Sequence, residues 1–197
     1  MGEENCITDM GDEEVHAKSI GLRIQGKIAS KMSSKGLAKQ VVDGPTSELI
    51  DNCYRIAKYY LESKKDAEKI MKNMIKIVVK VALLSSNNRF TKEEMSIIQN
   101  FQNKFKTIAK SIISFYEVDF TFDCEYTVTM MKDSQKLLEK LVCNHLTAKS
   151  LKRIECVYNF YSNPDVLDSV FQPGSKFRPY LANIVKSLNT LIEQGQL

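Results

Sequence analysis

The chain has few of the residues that extracellular scaffolds, membrane spans and most enzymes depend on. Its five cysteines, Cys6, Cys53, Cys124, Cys143 and Cys156, are odd in number, scattered and without a C-x-x-C pair. That pattern fits reduced thiols in a cytosolic protein and argues against a disulfide framework or a zinc site. No apolar run approaches the ~18 residues of a membrane span, because lysines interrupt the longest one. The opening MGEEN is acidic and lacks an apolar h-region, so no signal peptide is expected. Cys6 stands where N-myristoylation wants Ser or Thr. Only two histidines occur, and neither H-E-x-x-H nor G-x-S-x-G spacing is found. No enzyme, metal or other cofactor is therefore expected. A phosphate-loop match from Gly21 to Lys27 is followed by Ile28, where magnesium needs a hydroxyl, and no strand precedes it.

What is present is helical period and unevenly placed charge. The formal charge of +4 conceals two opposed blocks. Residues 1 to 14 hold Glu3, Glu4, Asp9, Asp12, Glu13 and Glu14 with no Lys or Arg, and residues 18 to 39 hold Lys18, Arg23, Lys27, Lys31, Lys35 and Lys39 with no acid. Such blocks read as an acidic disordered tail, residues 1–17, ahead of a helical domain, residues 18–197. Residues 18–40 form a basic amphipathic first helix, with Ile20, Ile24, Ile28 and Met32 in one row and the basic residues in the next. The basic row has no interleaved aromatics, so nucleic acid is not expected as a partner.

The most informative stretch is Lys65 to Leu84, KDAEKIMKNMIKIVVKVALL. Lys65, Lys69, Lys72, Lys76 and Lys80 fall on one arc roughly 80° wide, and apolar residues cover most of the remainder. A helix with an apolar sector of roughly 200° needs neighbours on two or three sides. It is a stave of a bundle, or of a helical wall around a hollow interior, and periodicity does not separate the two. The lysine edge itself reads as a solvated face.

Around that stave the sequence predicts further helices. Gly44-Pro45 breaks the chain, and Thr46 or Ser47 caps a helix to about Ser63. Thr91-Lys92-Glu93-Glu94 is a capping box opening a helix to about Phe115, with Ile97, Ile98, Phe101, Phe105, Ile108, Ile112 and Phe115 inward. An extended connector to Asp123 carries aromatics that plug one end of the bundle. Asp123 caps a helix to about His145 with Leu138 among its inner residues, Thr147 caps another, and Asn163-Pro164 opens a short one. A last helix runs from near Pro179 to Glu193. The expected fold class is all-α, a single-domain antiparallel bundle of six to seven helices.

Several stretches resemble the TIPE family, named after tumour-necrosis-factor-alpha-induced protein 8. They are Ala67 to Lys76 (AEKIMKNMIK), Asn87 to Phe90 (NNRF), Ile112 to Asp123 (IISFYEVDFTFD) and His145 to Ser150 (HLTAKS). The resemblance covers about Lys18 to the C-terminus. It implies a helical cylinder with a long apolar cavity, in proteins that bind and shuttle phosphoinositides and modulate apoptosis and inflammatory signalling. It implies contacts with Rac-type small GTPases and heterotrimeric G-protein α subunits as well. By the family pattern the headgroup residues are Lys27, which follows Gln25 and Gly26, with Arg23 and Lys31 one turn to either side. Arg89 stands near the family arginine position occupied here by Ser86, and Lys104 lies near Gln102. The expected cavity lining is Ile24, Ile28, Met74, Ile77, Val78, Val81, Phe101, Phe105, Ile108, Ile112 and Leu138. Placement in the cytoplasm, with reversible association with the inner face of the plasma membrane, follows from the same reading. The competing expectation is a non-enzymatic helical adaptor with a solid core, acting only through protein contacts.

Overall fold

The computed structural model describes Ser30, residues 44–118 and residues 121–197. The acidic segment and, Ser30 apart, the basic first helix lie outside the described residues. Seven helices are present among the described residues: α1 (Gly44–Leu61), α2 (Lys64–Ser86), α3 (Lys92–Glu117), α4 (Cys124–Val142), α5 (Ala148–Tyr161), α6 (Pro164–Phe171) and α7 (Arg178–Glu193). No strand accompanies them there, so the class is all-α.

Local chemistry accounts for most boundaries. The Ser63 hydroxyl accepts the Asp66 N–H at the start of α2, and the Asp123 carboxylate accepts the Tyr126 N–H at the start of α4. Asn163 accepts the Asp165 N–H with Pro164 at the first helical position. Two expectations need correction. Thr46 and Ser47 lie inside α1 rather than at its cap, for the helix already includes Gly44 and Pro45. Proline is tolerated in a first turn because its missing N–H would have had no intrahelical acceptor there. Likewise α4 stops at Val142, short of His145. Thr147 does occupy the cap position of α5, but its hydroxyl faces Ser150 Oγ at 3.3 Å and caps no backbone N–H.

The helices close on themselves. Helix α1 packs on α2, α2 on α5, α5 on α4, α4 on α3, α3 on α7, and α7 back on α1. Side-chain bridges set the direction of each seam. Lys80 meets Ser150 and Asn73 meets Cys156 between α2 and α5, while Arg178 meets Tyr116 and Lys106 meets Leu197 between α3 and the α7 segment. Tyr59 stacks on Tyr180 and Asn52 faces Asn183 between α1 and α7. Each of these seams runs antiparallel, as do the hairpins α1–α2, α3–α4 and α4–α5. Six staves is an even number, so the alternation continues all the way round the ring.

The seventh helix, α6, lies outside the ring order and packs on α4, α5 and α7. There Phe122 stacks on Phe171 with centroids 4.3 Å apart and planes 4° from parallel, and Phe115 meets both edge-on. Aromatics of the α3–α4 connector thus plug one end, as expected, and α6 adds Val166, Val170 and Phe171 to the plug.

Candidate functional site

At the opposite end, α2 passes into α3 and α4 passes into α5, and no helix lies across it among the described residues. Helix α2 ends by its own sequence chemistry. The Asn87 side chain donates to the Leu83 carbonyl at 2.7 Å, and Asn88 takes the left-handed conformation (φ 49°) that asparagine tolerates better than most residues. The following Arg89 donates its backbone N–H to the Leu84 carbonyl and leaves its side chain exposed at the rim.

Thr91 and Glu94 then form both halves of the capping box. Glu94 does more than cap. It is only 8% exposed, with Oε2 accepting the Thr91 N–H at 2.8 Å and Oε1 lying 2.9 Å from His145 Nε2 in the α4–α5 turn. The Thr91 backbone N–H, followed by the His145 ring, holds the Glu94 carboxyl below the usual range against the opposing effect of its burial. Phe90 sets its ring edge-on to His145 at 5.4 Å. A carboxylate beside a histidine is the arrangement that orients a general base. Here both carboxylate oxygens are engaged, one by the Thr91 N–H and one by the His145 ring, so the pair latches two turns together. No group of three or more Cys, His, Asp or Glu suited to a metal occurs among the described residues.

The wall above this rim is uneven. By helical rise α3 measures about 39 Å and α7 about 24 Å. The two are aligned at the plugged end, where Arg178 donates to the Tyr116 carbonyl at 2.9 Å. The first turns of α3, with Ile97, Ile98 and Phe101, therefore project beyond α7, and all three side chains are half-buried.

Among the described residues the buried side chains form three clusters. One seals α1 against α2, around Tyr54, Met71 and Ile75. A second fills the plugged end around α6 and α7. The third joins Ile77, Leu138, Leu141, Val142 and Ile154 near the rim.

The expected lining residues distribute over these clusters. Ile77 and Leu138 are in the third, with Val81 and Phe101 packed against it, and Phe105 stacks on Phe101 at 6.4 Å. Ile108 is buried, and Ile112 packs on the second cluster. Met74 and Val78 pack on the first. Of the headgroup residues, the two within the described residues, Arg89 and Lys104, do not lie side by side. Arg89 is at the rim, whereas Lys104 lies twelve residues into α3 from Lys92, about 18 Å along it. Lys104 faces Asp133 Oδ2 at 3.4 Å and Met130 Sδ at 3.7 Å in the α3–α4 seam. Arg23, Ile24, Lys27, Ile28 and Lys31 lie outside the described residues. The sequence reading missed the Glu94–His145 latch, the Lys80–Ser150 bond and the buried Ser134–Tyr158 bond. Only the capping box signalled Glu94, and nothing in the sequence links it to a histidine 51 positions away.

A family described as tumor necrosis factor alpha-induced protein 8-like matches residues 15–195. The chain belongs to that family. A tumor necrosis factor alpha-induced protein 8-like protein of Drosophila pseudoobscura pseudoobscura is 43% identical over 188 residues, covering 95% of this chain and 100% of the relative. The salivary glands marred protein of Drosophila melanogaster is 43% identical with the same coverage. Tumor necrosis factor alpha-induced protein 8 of Gallus gallus is 35% identical over 95% of this chain and all of its own length. Among solved structures, the C-terminal region of G-protein interacting protein 1 (Gip1) from Dictyostelium discoideum superposes with a TM-score of 0.67. It covers 80% of this chain and 96% of that one at 16% identity, which shows a shared fold. Membership in the family supports a regulatory role in apoptosis and immune signalling. No helix among the described residues is long and apolar enough to cross a membrane.

Proposed function

We propose that this protein is a carrier of phosphoinositides or related phospholipids, holding acyl chains along the axis of the helical ring and presenting the headgroup at the basic rim. The observation that carries this reading is the ring itself. Six helices follow one another around a closed circuit, with Tyr60 and Cys53 of α1 also reaching Phe160 and Tyr161 of α5, one end is plugged by aromatics, and the buried side chains among the described residues fall into three clusters rather than one contiguous core.

Energetics favour a filled axis. An apolar void costs on the order of 24 cal/mol per Å³, so several hundred Å³ would cost on the order of 10 kcal/mol, comparable to the stability of a whole domain. Each buried acyl methylene contributes about 0.8 kcal/mol, and one chain offsets that cost. The phosphates stay at the rim, where Arg89 forms charge-assisted hydrogen bonds with them, and Arg23, Lys27 and Lys31 are the further cations proposed to pair with the headgroup. Loading takes place by reversible association with the inner face of the plasma membrane. Rac-type small GTPases and G-protein α subunits are the proposed protein partners.

Mass spectrometry of organic extracts from the purified protein is the direct test. The expected result is a stoichiometric phospholipid. A protein that leaves no lipid in the extract, and takes none from phosphoinositide vesicles, would be the solid-core adaptor instead.

A further inference from the structure

Helix α2 carries six lysines and two acids, and both acids, Asp66 and Glu68, lie in its first two turns. From Lys69 to Ser86 it has four lysines and no acid. Lys65, Lys69, Lys72 and Lys76 are exposed along its outer face. Lys72 does bridge to Glu68 at 3.0 Å, a solvent-exposed i, i+4 pair of small worth. Lys80 turns into the α2–α5 seam and donates to Ser150 Oγ at 2.6 Å. That bond and the Asn73–Cys156 contact set the seam's register, which brings Arg153 of α5 to the level of Lys76 and Lys149 to the level of Lys80. The acid of this part of α5, Glu155, belongs to the α4–α5 groove on the other side of that helix. Two adjacent staves thus present cations along one outer face.

We propose that this face, the outer side of α2 widened by Lys149 and Arg153, is a docking surface for an anionic bilayer. It is distinct from the rim and goes beyond the carriage of a lipid inside the ring. Its composition chooses among partners. Protein interfaces are depleted in lysine and anchored by aromatic or other large side chains. The exposed large hydrophobic residues among those described are Met95, Val118 and Tyr126, none of them on α2 or α5. Lysines are flexible point charges that need no fixed geometry in the partner, which suits a plane of lipid phosphates. Docked by this face, the ring lies on its side, and the row descends α2 toward Arg89, so the rim meets the membrane at its edge.

The test is co-sedimentation of the full chain, wild type and K65Q/K69Q/K72Q/K76Q, with phosphatidylcholine vesicles containing phosphatidylserine at low and physiological salt. Gln matches Lys in helix propensity, and an unchanged melting temperature establishes that the variant is folded. Each lysine near an anionic surface is worth about fivefold in affinity, so the variant should bind at least tenfold more weakly and with a shallower salt dependence. K65R/K69R/K72R/K76R should bind as wild type. Undiminished binding of the Gln variant overturns the proposal. So does a wild-type preference for duplex DNA over vesicles at equal phosphate, if the Gln variant loses it. Uptake of a short-chain phosphoinositide below its micelle concentration needs no bilayer and should be equal in wild type and Gln variant. Failure of uptake in both would remove the lipid-carrier reading and leave the docking face standing.

Discussion

Replacing Val81 with Phe separates a lipid-filled ring from a solid one by the sign of its effect. Val81 lies on the inner arc of α2, half-buried against the cluster of Ile77, Leu138 and Ile154. A phenyl group in place of isopropyl adds roughly 50 Å³, so in a lipid-free hollow it would remove void worth about 1 kcal/mol at 24 cal/mol per Å³. The same side chain forced into a close-packed core costs about 1–3 kcal/mol. For a chain of this length those changes correspond to a melting temperature raised by about 2–4 °C or lowered by about 2–12 °C. In the loaded protein the phenyl displaces about two methylenes of acyl chain, about 1.6 kcal/mol or roughly 15-fold in lipid affinity. The assay is thermal unfolding of delipidated protein paired with lipid retention by mass spectrometry. The hollow ring requires a higher melting temperature and less lipid. A lower melting temperature with no change in lipid content would refute the reasoning.

Three further perturbations test the rest. Phe122→Ala removes the ring stacked on Phe171 and met edge-on by Phe115; chemical denaturation should register a loss of about 2–3 kcal/mol, and a loss under ~0.5 kcal/mol would mean the aromatic plug does not hold that end. Asp51 is pushed up to about 7, chiefly by desolvation that the nearby Arg55 only partly offsets, and its Oδ1 is buried without a hydrogen bond. Its folded value lies above its unfolded one, so the folded state holds the extra proton and stability declines as pH rises from about 4 to about 7. Asp51→Asn should flatten that decline and stabilise at pH 7.5 by about 1 kcal/mol after allowance for solvent screening; an unchanged pH profile counts against it. Deleting residues 1 to 14 removes a charge of −6 ahead of the basic segment, so vesicle affinity should rise about tenfold at low salt and the gain should shrink as salt increases. A gain that ignores salt would exclude electrostatic masking by the tail.

Helix identity was legible from residues a few positions apart. The apolar arc of α2, the Thr91–Glu94 box, the Asp123 cap and Asn163-Pro164 are all local devices, and each reappears in the structure where the sequence places it. The boundaries that were misplaced, at Gly44-Pro45 and at Val142, are positions where two local rules compete. Proline both breaks helices and begins them, and residues 143–146 lack the glycine that would mark a stop. The candidate site was less legible. Lys104 has a basic side chain whatever it faces, and only the α3–α4 seam shows it turned to Asp133. Glu94 needed His145, and Lys80 needed Ser150, partners brought within reach by packing.

Composition and period alone therefore specify amphipathic helices, an apolar sector on α2 too wide for a single neighbour, and one face that must remain in water. These are one-dimensional properties, set by side-chain spacing along a 3.6-residue turn. The order in which helices meet is not such a property. That α2 lies beside α5, that α7 returns to α1 to close the circuit, and that α6 leaves the wall to cover one end depend on contacts far apart in the chain. Nothing in the period of any single helix carries that information, because the same apolar arc satisfies a solid bundle and a ring equally well.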